Sequence, residues 1–177
     1  MTNKTNGQKT GADFQTLIRD SSEGVDGLLL VETSPPYTML RNLSNGQFIG
    51  RHRGKGPTDY VGLFGPRAVF CEAKSTRGKS FSFAYLPEHQ AKLMRAAHRA
   101  GNIGFLFVEF AALTDSKGKP APRYFALPWP AVEPCWIGFR TVNGAPASIP
   151  LKTFERDGVE VKREGARLNL ADLFAQL

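Results

Sequence analysis

Apolar and polar positions alternate along this chain in distinct rhythms, and each rhythm predicts an element. In residues 12–20, Phe14, Leu17 and Ile18 fall on one face of a short helix. Residues 25–31 form an apolar run suited to a strand. Residues 60–64 and 68–73 read as a second and third strand joined at Gly65-Pro66. Glycine suits the first central position of a two-residue type II′ turn, and proline can supply the φ of the second. That turn pairs Phe64 with Arg67, and counting back sets Asp59 opposite Glu72. Residues 80–83 are a further short strand.

The clearest helix is 87–100. Pro87 stands at its start, Glu88 in its first turn and Gly101 past its end. One face carries Gln90, Leu93, Met94 and Ala97, the other Lys92, Arg95 and Arg99. Residues 103–110 are almost continuously apolar, as for a strand covered on both faces. Residues 123–127 suit another strand. Residues 169–177 suit a closing helix, with Leu170, Leu173, Phe174 and Leu177 on one stripe.

The polar stretches divide the chain differently. Residues 1–10 are nearly free of apolar side chains and read as a disordered tail. Residues 33–58 hold Pro35, Pro36, several glycines and the basic run Arg51-His52-Arg53-Gly54-Lys55, and read as irregular. What remains, 11–177, is one domain. Strands interleaved with helices predict an α/β fold with a mixed sheet.

Composition narrows the class. Hydrophobic residues are 41% and charged residues 22%, the balance of a soluble globular protein. The apolar runs are too short and too interrupted to span a bilayer, and residues 1–11 lack the apolar core of a signal peptide. Cys71 and Cys135 read as reduced thiols of a cytoplasmic protein, where the Asn42-Leu43-Ser44 sequon carries no meaning. The net charge of +7 suits a polyanionic partner, nucleic acid first.

The candidate chemistry lies in Asp59, a gap of twelve residues, then Glu72-Ala73-Lys74. Residues two apart on a strand share a face. Glu72 and Lys74 therefore point together, Cys71 and Ala73 point away, and the hairpin register brings Asp59 to the face of Glu72. Two neighbouring carboxylates repel when ionised, and a divalent cation resolves the conflict. Mg²⁺ favours one or two carboxylates plus water and phosphate oxygens. Such an ion polarises a phosphodiester and lowers the pKa of a water, which Lys74 could orient or deprotonate. Spacing alone is a loose pattern, and a plain solvent-facing Glu–Lys pair with a turn aspartate would match it too. The apolar hairpin, the basic segment 74–79 and the basic helix face that follows favour the nuclease.

With these residues in view, the chain resembles a known family. Pro57-Thr58-Asp59-Tyr60-Val61-Gly62 followed by Phe70-Cys71-Glu72-Ala73-Lys74-Ser75-Thr76 looks like the PD-(D/E)xK nucleases, and more narrowly the RecU-type Holliday junction resolvases. Leu86-Pro87-Glu88-His89-Gln90, the strand 104–110, and Ala166-Arg167-Leu168 with the closing helix continue the likeness. The resemblance implies a restriction-endonuclease-like mixed sheet flanked by helices. It implies a homodimer, a four-way DNA junction as substrate, and Mg²⁺ as cofactor with Mn²⁺ as a substitute. Asp59, Glu72 and the carbonyl of Ala73 would hold the metal, and Lys74 would serve the water. Gln90 would lie beside them as a fourth catalytic residue. Residues 33–58 would form the short stalk that enters the junction, with Arg41, Arg51, Arg53 and Lys55, and Lys79 beyond it, on phosphates.

Two departures stand out. Pro57 replaces the threonine that the family commonly has two residues before the aspartate, and Gln15 stands nearest to its first-helix glutamate. Bland readings remain for several positions. Gln90 could be an edge residue of its helix stripe, and 51–55 a solvated loop. His89 and His98 read as surface residues, Phe81, Phe83 and Phe105 as core. Trp129 and Trp136 suggest packing or a dimer contact. The competing functions are a repair or phage nuclease acting on flaps or duplex ends, and a catalytically silent protein that binds branched DNA.

Overall fold

The computed structural model describes residues 6–34, 37–42, 47–52, 54 and 56–177. Helix α1 (Asn6–Ser22) leads into β1 (Leu28–Glu32), the ribbon β2 (Tyr37–Asn42) and β3 (Phe48–His52), and the hairpin β4 (Tyr60–Phe64) and β5 (Arg67–Thr76). Then come β6 (Ser80–Ser82), a 3-10 turn (Phe83–Tyr85), α2 (Glu88–Arg99), β7 (Ile103–Phe110) and β8 (Arg123–Pro128). The last stretch holds α3 (Trp129–Thr141), β9 (Ser148–Pro150), α4 (Leu151–Asp157), β10 (Val159–Val161), β11 (Arg163–Glu164), β12 (Arg167–Leu168) and α5 (Leu170–Gln176). The main sheet runs β1-β4-β5-β7-β8-β10. Only β5 and β7 pair in parallel within it, so the sheet is mixed, as the pattern predicts.

The register predicted for the β4–β5 hairpin is the observed one. Phe64 faces Arg67 and Tyr60 faces Cys71. Gly65 has φ +56°, and among the described residues no non-glycine residue has positive φ, so Pro66 does not. Those two signs are what a type II′ turn requires.

Strand β7 is buried on both faces, and its alternate residues build two cores. Phe105 and Phe107 join Phe14, Ile18, Cys71, Ala73 and Phe174 beneath α1 and α5. Leu106, Val108 and Phe110 join Met94, Phe125, Trp129 and Phe154 beneath α2, α3 and α4. Each fully buried Phe contributes roughly 1.5–3 kcal/mol over leaving it exposed. Edge-to-face contacts such as Phe14–Phe107 at 5.2 Å between centroids add to this. Gly104 lets α2 approach β7 closely: a Cβ there would sit 3.3 Å from the Met94 carbonyl oxygen.

Several elements differ from the pattern. Helix α1 begins at Asn6, so part of the stretch read as a disordered tail is helical; residues 1–5 lie outside the described residues. Within the stretch 33–58, read as irregular, Tyr37–Asn42 and Phe48–His52 pair as the antiparallel β2–β3 ribbon with an irregularity between Met39 and Arg41; Pro35 and Pro36 lie outside the described residues. Its glycines exclude a long helix but not a short ribbon. Strand β6 pairs with β9, outside the main sheet. The Pro-rich stretch around Trp129 is a helix. Pro130 stands in its first turn, where a missing N–H costs little, and Pro134 lies inside it. Trp129 and Trp136 are core, with the Arg95 and Arg140 guanidinium carbons each 5.8 Å from the Trp136 ring centroid. Phe81, Phe83 and Phe105 are buried as expected, Cys71 is buried and Cys135 exposed, and both thiols are free. Among the described residues no helix is long and apolar enough to cross a membrane.

Candidate active site

Strand β5 outruns its hairpin partner. The pairing with β4 ends at Tyr60–Cys71, while β5 continues to Thr76 against β7 on its other side. At this free edge, Asp59 takes over where the ladder stops. The Ala73 N–H donates to Asp59 Oδ2 at 3.0 Å, and the Asp59 N–H donates to Glu72 Oε2 at 3.2 Å. The Asp59 backbone is fixed from the other side as well, its carbonyl accepting from Thr33 N–H at 2.8 Å.

Glu72 and Lys74 share a sheet face, opposite to Cys71 and Ala73. Their parallel partners on β7 are Leu106 and Val108, so this is the α2 side. Lys74 Nζ donates to Asp59 Oδ2 at 3.2 Å and to Glu72 Oε1, and one ammonium thus bridges both carboxylates. Glu72 is fully buried and Lys74 about a quarter exposed. Burial pushes the Glu72 carboxyl up to about 7; the Lys74 ammonium opposes this, and the Asp59 carboxylate adds to it. Burial alone would lower the Lys74 ammonium, but Glu72 and Asp59 outweigh it and leave it raised.

Gln90 lies on the buried stripe of α2 with Met94 and Ala97. Its Oε1 is buried without a hydrogen-bond partner. A buried acceptor left unmade costs roughly 1–3 kcal/mol, which a ligand or ordered water would relieve. The preceding residue, His89, reaches back through Nε2 to the Gly56 carbonyl at 3.1 Å, tying α2 to the loop before Asp59. His89 is therefore half-buried and structural rather than a plain surface residue, whereas His98 is exposed.

The two departures resolve differently. Thr58 is buried and its hydroxyl donates to the Tyr60 carbonyl at 2.8 Å, so it serves the backbone. Pro57 beside it is exposed. Gln15, by contrast, lines a groove of about 670 Å³ together with Ala73, Lys74, Arg77 and Tyr85. The Tyr60 hydroxyl donates to the Gln15 carbonyl at 2.6 Å and fixes that wall. Arg77 and Tyr85 escape a reading by periodicity. The signal for Tyr85 is a lone aromatic between Phe83 and Leu86, which are both buried.

Of the basic residues, Arg41 and Arg51 are exposed on the ribbon. Arg41 pairs with Ile49, and Ile49 and Arg51 are two apart on β3, so both arginines share one face. Arg53 and Lys55 lie outside the described residues. Lys79 is exposed but lines a separate depression with Arg123 and Lys152, not the groove at Lys74.

Among the described residues no cluster of three or more His, Cys, Asp or Glu is poised for a metal ion. The donor set still fits Mg²⁺. It is all oxygen, it holds two carboxylates against one ammonium, and Mg²⁺ keeps several waters rather than demanding a protein cage. A pH effect follows. The raised Glu72 carboxyl stabilises the metal-free fold below its ordinary 4.5, and this contribution is lost as pH rises through about 7. A bound dication needs the ionised form, so its stabilisation grows over the same interval. The rise in Tm on adding Mg²⁺ should be larger at pH 8 than at pH 5.5 and should shrink in Asp59→Asn. Equal shifts at both pH values, measured by scanning calorimetry, would count against this ligand set.

Comparison with known proteins places the chain. No curated protein matches its sequence significantly. Among solved structures, the 1.6 Å structure of Archaeoglobus fulgidus Hjc, a Holliday junction resolvase from an archaeal hyperthermophile, aligns with 94% of this chain and 98% of its own. The TM-score is 0.46 and the identity 12%, too loose a likeness to argue from. The model of the family Recombination protein U matches residues 44–176, which include the Asp59–Glu72–Lys74 hairpin, α2 and the closing helix. The chain belongs to the Recombination protein U (RecU) family of Holliday junction resolvases.

Proposed function

We propose that this protein is a Mg²⁺-dependent endonuclease that resolves four-way DNA junctions by paired symmetric nicks in the cytoplasm. The observation that carries the reading is the convergence of Asp59, Glu72 and Lys74 at the free edge of β5 in a RecU-family chain. Asp59 and Glu72, with the Ala73 carbonyl, would hold the metal. When bound, Mg²⁺ supplies Lewis-acid polarisation of the phosphodiester and a more acidic water. Lys74 holds that water in line, or neutralises charge gathering on the phosphoryl oxygens. Gln90, whose side-chain carbonyl oxygen is unpartnered, would accept a hydrogen bond from that water. Arg41 and Arg51 grip phosphates of the converging arms, with Arg53 and Lys55 beside them in sequence. A gel assay in Mg²⁺ comparing a four-way junction, a flap and a linear duplex of the same sequences tests the reading. Junction cleavage should dominate; equal or greater cutting of flaps or duplex ends would assign a different nuclease role.

Paired nicks need two sites, and one chain holds one triad. A C₂ homodimer is the usual solution. The sheet offers a face for it. Leu29 pairs with Leu63 and Val31 with Val61, and Leu29, Val31 and Leu63 are each about half exposed. Through Leu63–Ala68 and Val61–Phe70 this face is continuous with that of Glu72. An apolar patch of this kind beside a polar site suits a second copy of the chain. Sedimentation should show a dimer for the wild type and a folded monomer for Leu63→Glu. A wild type that stays monomeric even on a junction would remove the basis for paired cutting.

A further inference from the structure

The groove beside Lys74 holds more than the triad requires. Gln15, Arg77 and Tyr85 line it together with Lys74. Among the described residues that line it, Lys74 and Arg77 are cations and none is acidic. Both Arg77 and Tyr85 are presented by stiff local structure. Thr76 Oγ1 accepts from Gly78 N–H and donates to the Ser80 carbonyl, each at 3.2 Å, so the turn carrying Arg77 is closed on itself. The Thr76 carbonyl is in turn held by Ala111 N–H at 2.8 Å.

Tyr85 ends the 3-10 turn and is 61% exposed. Phe83, two residues before it, is buried and stacked on Phe139 at 5.3 Å between centroids, and Leu86 after it is buried. The turn is capped by Ser82, and Leu86 N–H donates to the Phe83 carbonyl at 3.0 Å. An isolated exposed aromatic is ordinary. One that is anchored on both sides and lines the groove opening onto Lys74 is a rigid, low-entropy contact surface.

We propose that Tyr85 is a base-stacking platform, and Arg77 a phosphate clamp, for a nucleotide flanking the scissile phosphate. This rests on the nuclease reading and adds the residues that place the cut strand. Where a bound junction is held open, a base pair at the branch point lacks a stacking neighbour on one side, and that face is free for an aromatic ring. Stacking of this kind tolerates any base, because every base has a π-face. The site therefore favours an unstacked position over a continuous duplex without reading its sequence.

The test uses the full chain with Ca²⁺ in place of Mg²⁺, so that DNA is bound and not cut. Junctions carry 2-aminopurine at successive positions on both sides of the mapped cleavage site. With the wild type, the fluorescence should change at a position within two nucleotides or so of the cut. Tyr85→Ala should abolish that change and weaken junction binding about ten-fold, while Tyr85→Phe and Tyr85→Trp retain both. Arg77→Ala should flatten the log–log salt dependence by about one unit. If Tyr85→Ala binds and reports like the wild type, the platform assignment is wrong while the nuclease reading stands. If the wild type neither binds nor cuts branched DNA, the nuclease reading fails and this inference fails with it.

Discussion

Single-turnover cleavage of a four-way junction in Mg²⁺ will fall about 10³-fold in Asp59→Asn, Glu72→Gln and Lys74→Ala. Junction affinity will stay within a few-fold of the wild type. The three substitutions act on one unit, so combining them will cost little more than any one alone. Their effects on folding differ, and this separates chemistry from stability. Glu72→Gln removes a charge from a fully buried position, relieving the burial that raises its pKa. Asp59→Asn keeps an oxygen able to accept from Ala73 N–H. Lys74→Ala leaves two carboxylates facing each other without their bridging ammonium. Losing one partner of a buried ion pair costs roughly 3–5 kcal/mol, so this protein alone should melt early without metal and recover with it. Circular dichroism melts with and without Mg²⁺ check that ordering. Wild-type rates in Asp59→Asn or Lys74→Ala would show that the site lies elsewhere.

Arg41→Ala combined with Arg51→Ala will cut junction affinity more than duplex affinity. Both side chains are exposed on one face of the β2–β3 ribbon. The ribbon is inserted between β1 and β4, adjacent strands of the main sheet, so its base is anchored at Thr33 and Asp59 beside the triad. Arginines on phosphates carry no sequence information, but they favour a place where several backbones converge. Every phosphate that an arginine no longer neutralises should flatten the slope of log Kobs against log salt by about 0.9, hence roughly two units for the pair. Binding titrations from low to moderate salt, on a junction and on a linear duplex, decide the matter. Parallel weakening on both substrates would leave the ribbon a general electrostatic role only.

The hairpin that carries the site is the most legible part of the chain. Gly65-Pro66 allows one turn, the turn sets the register, and the register puts Asp59 beside Glu72; the hydrogen bond from Asp59 N–H to Glu72 Oε2 is the result. Strand β7 and helix α2 are legible for similar reasons, since a continuous apolar run and a capped amphipathic stripe have few alternatives. Local pattern fails where tertiary context decides. The β2–β3 ribbon has two short strands that mix apolar with polar residues and show no clean alternation, and an irregularity between Met39 and Arg41 breaks its register, so local pattern does not mark it. Helix α3 contains Pro134, which argues against a helix locally, yet buried Trp129, Val132 and Trp136 hold it in place. The short pieces β9, β10 and α4 lie in a stretch with no clear period at all.

Within the site, the sequence shows which groups meet but not how deeply they are buried. That Glu72 is fully enclosed while Lys74 stays partly open depends on α2 and β7 closing over one side. The orphaned Gln90 oxygen is likewise a property of packing. Tyr85 has no rhythm to mark it, and only the groove shows its place.

The most direct measurement follows the cut strands themselves. A four-way junction is built with each of its strands end-labelled in turn and incubated with excess protein under single-turnover conditions, with Mg²⁺ and with chelator. The account predicts nicks at symmetric positions in two opposing strands, yielding ligatable duplexes, only with Mg²⁺ and not with Asp59→Asn. Cleavage that survives in chelator or in Asp59→Asn, or that falls on unrelated strands and duplex ends, would contradict it.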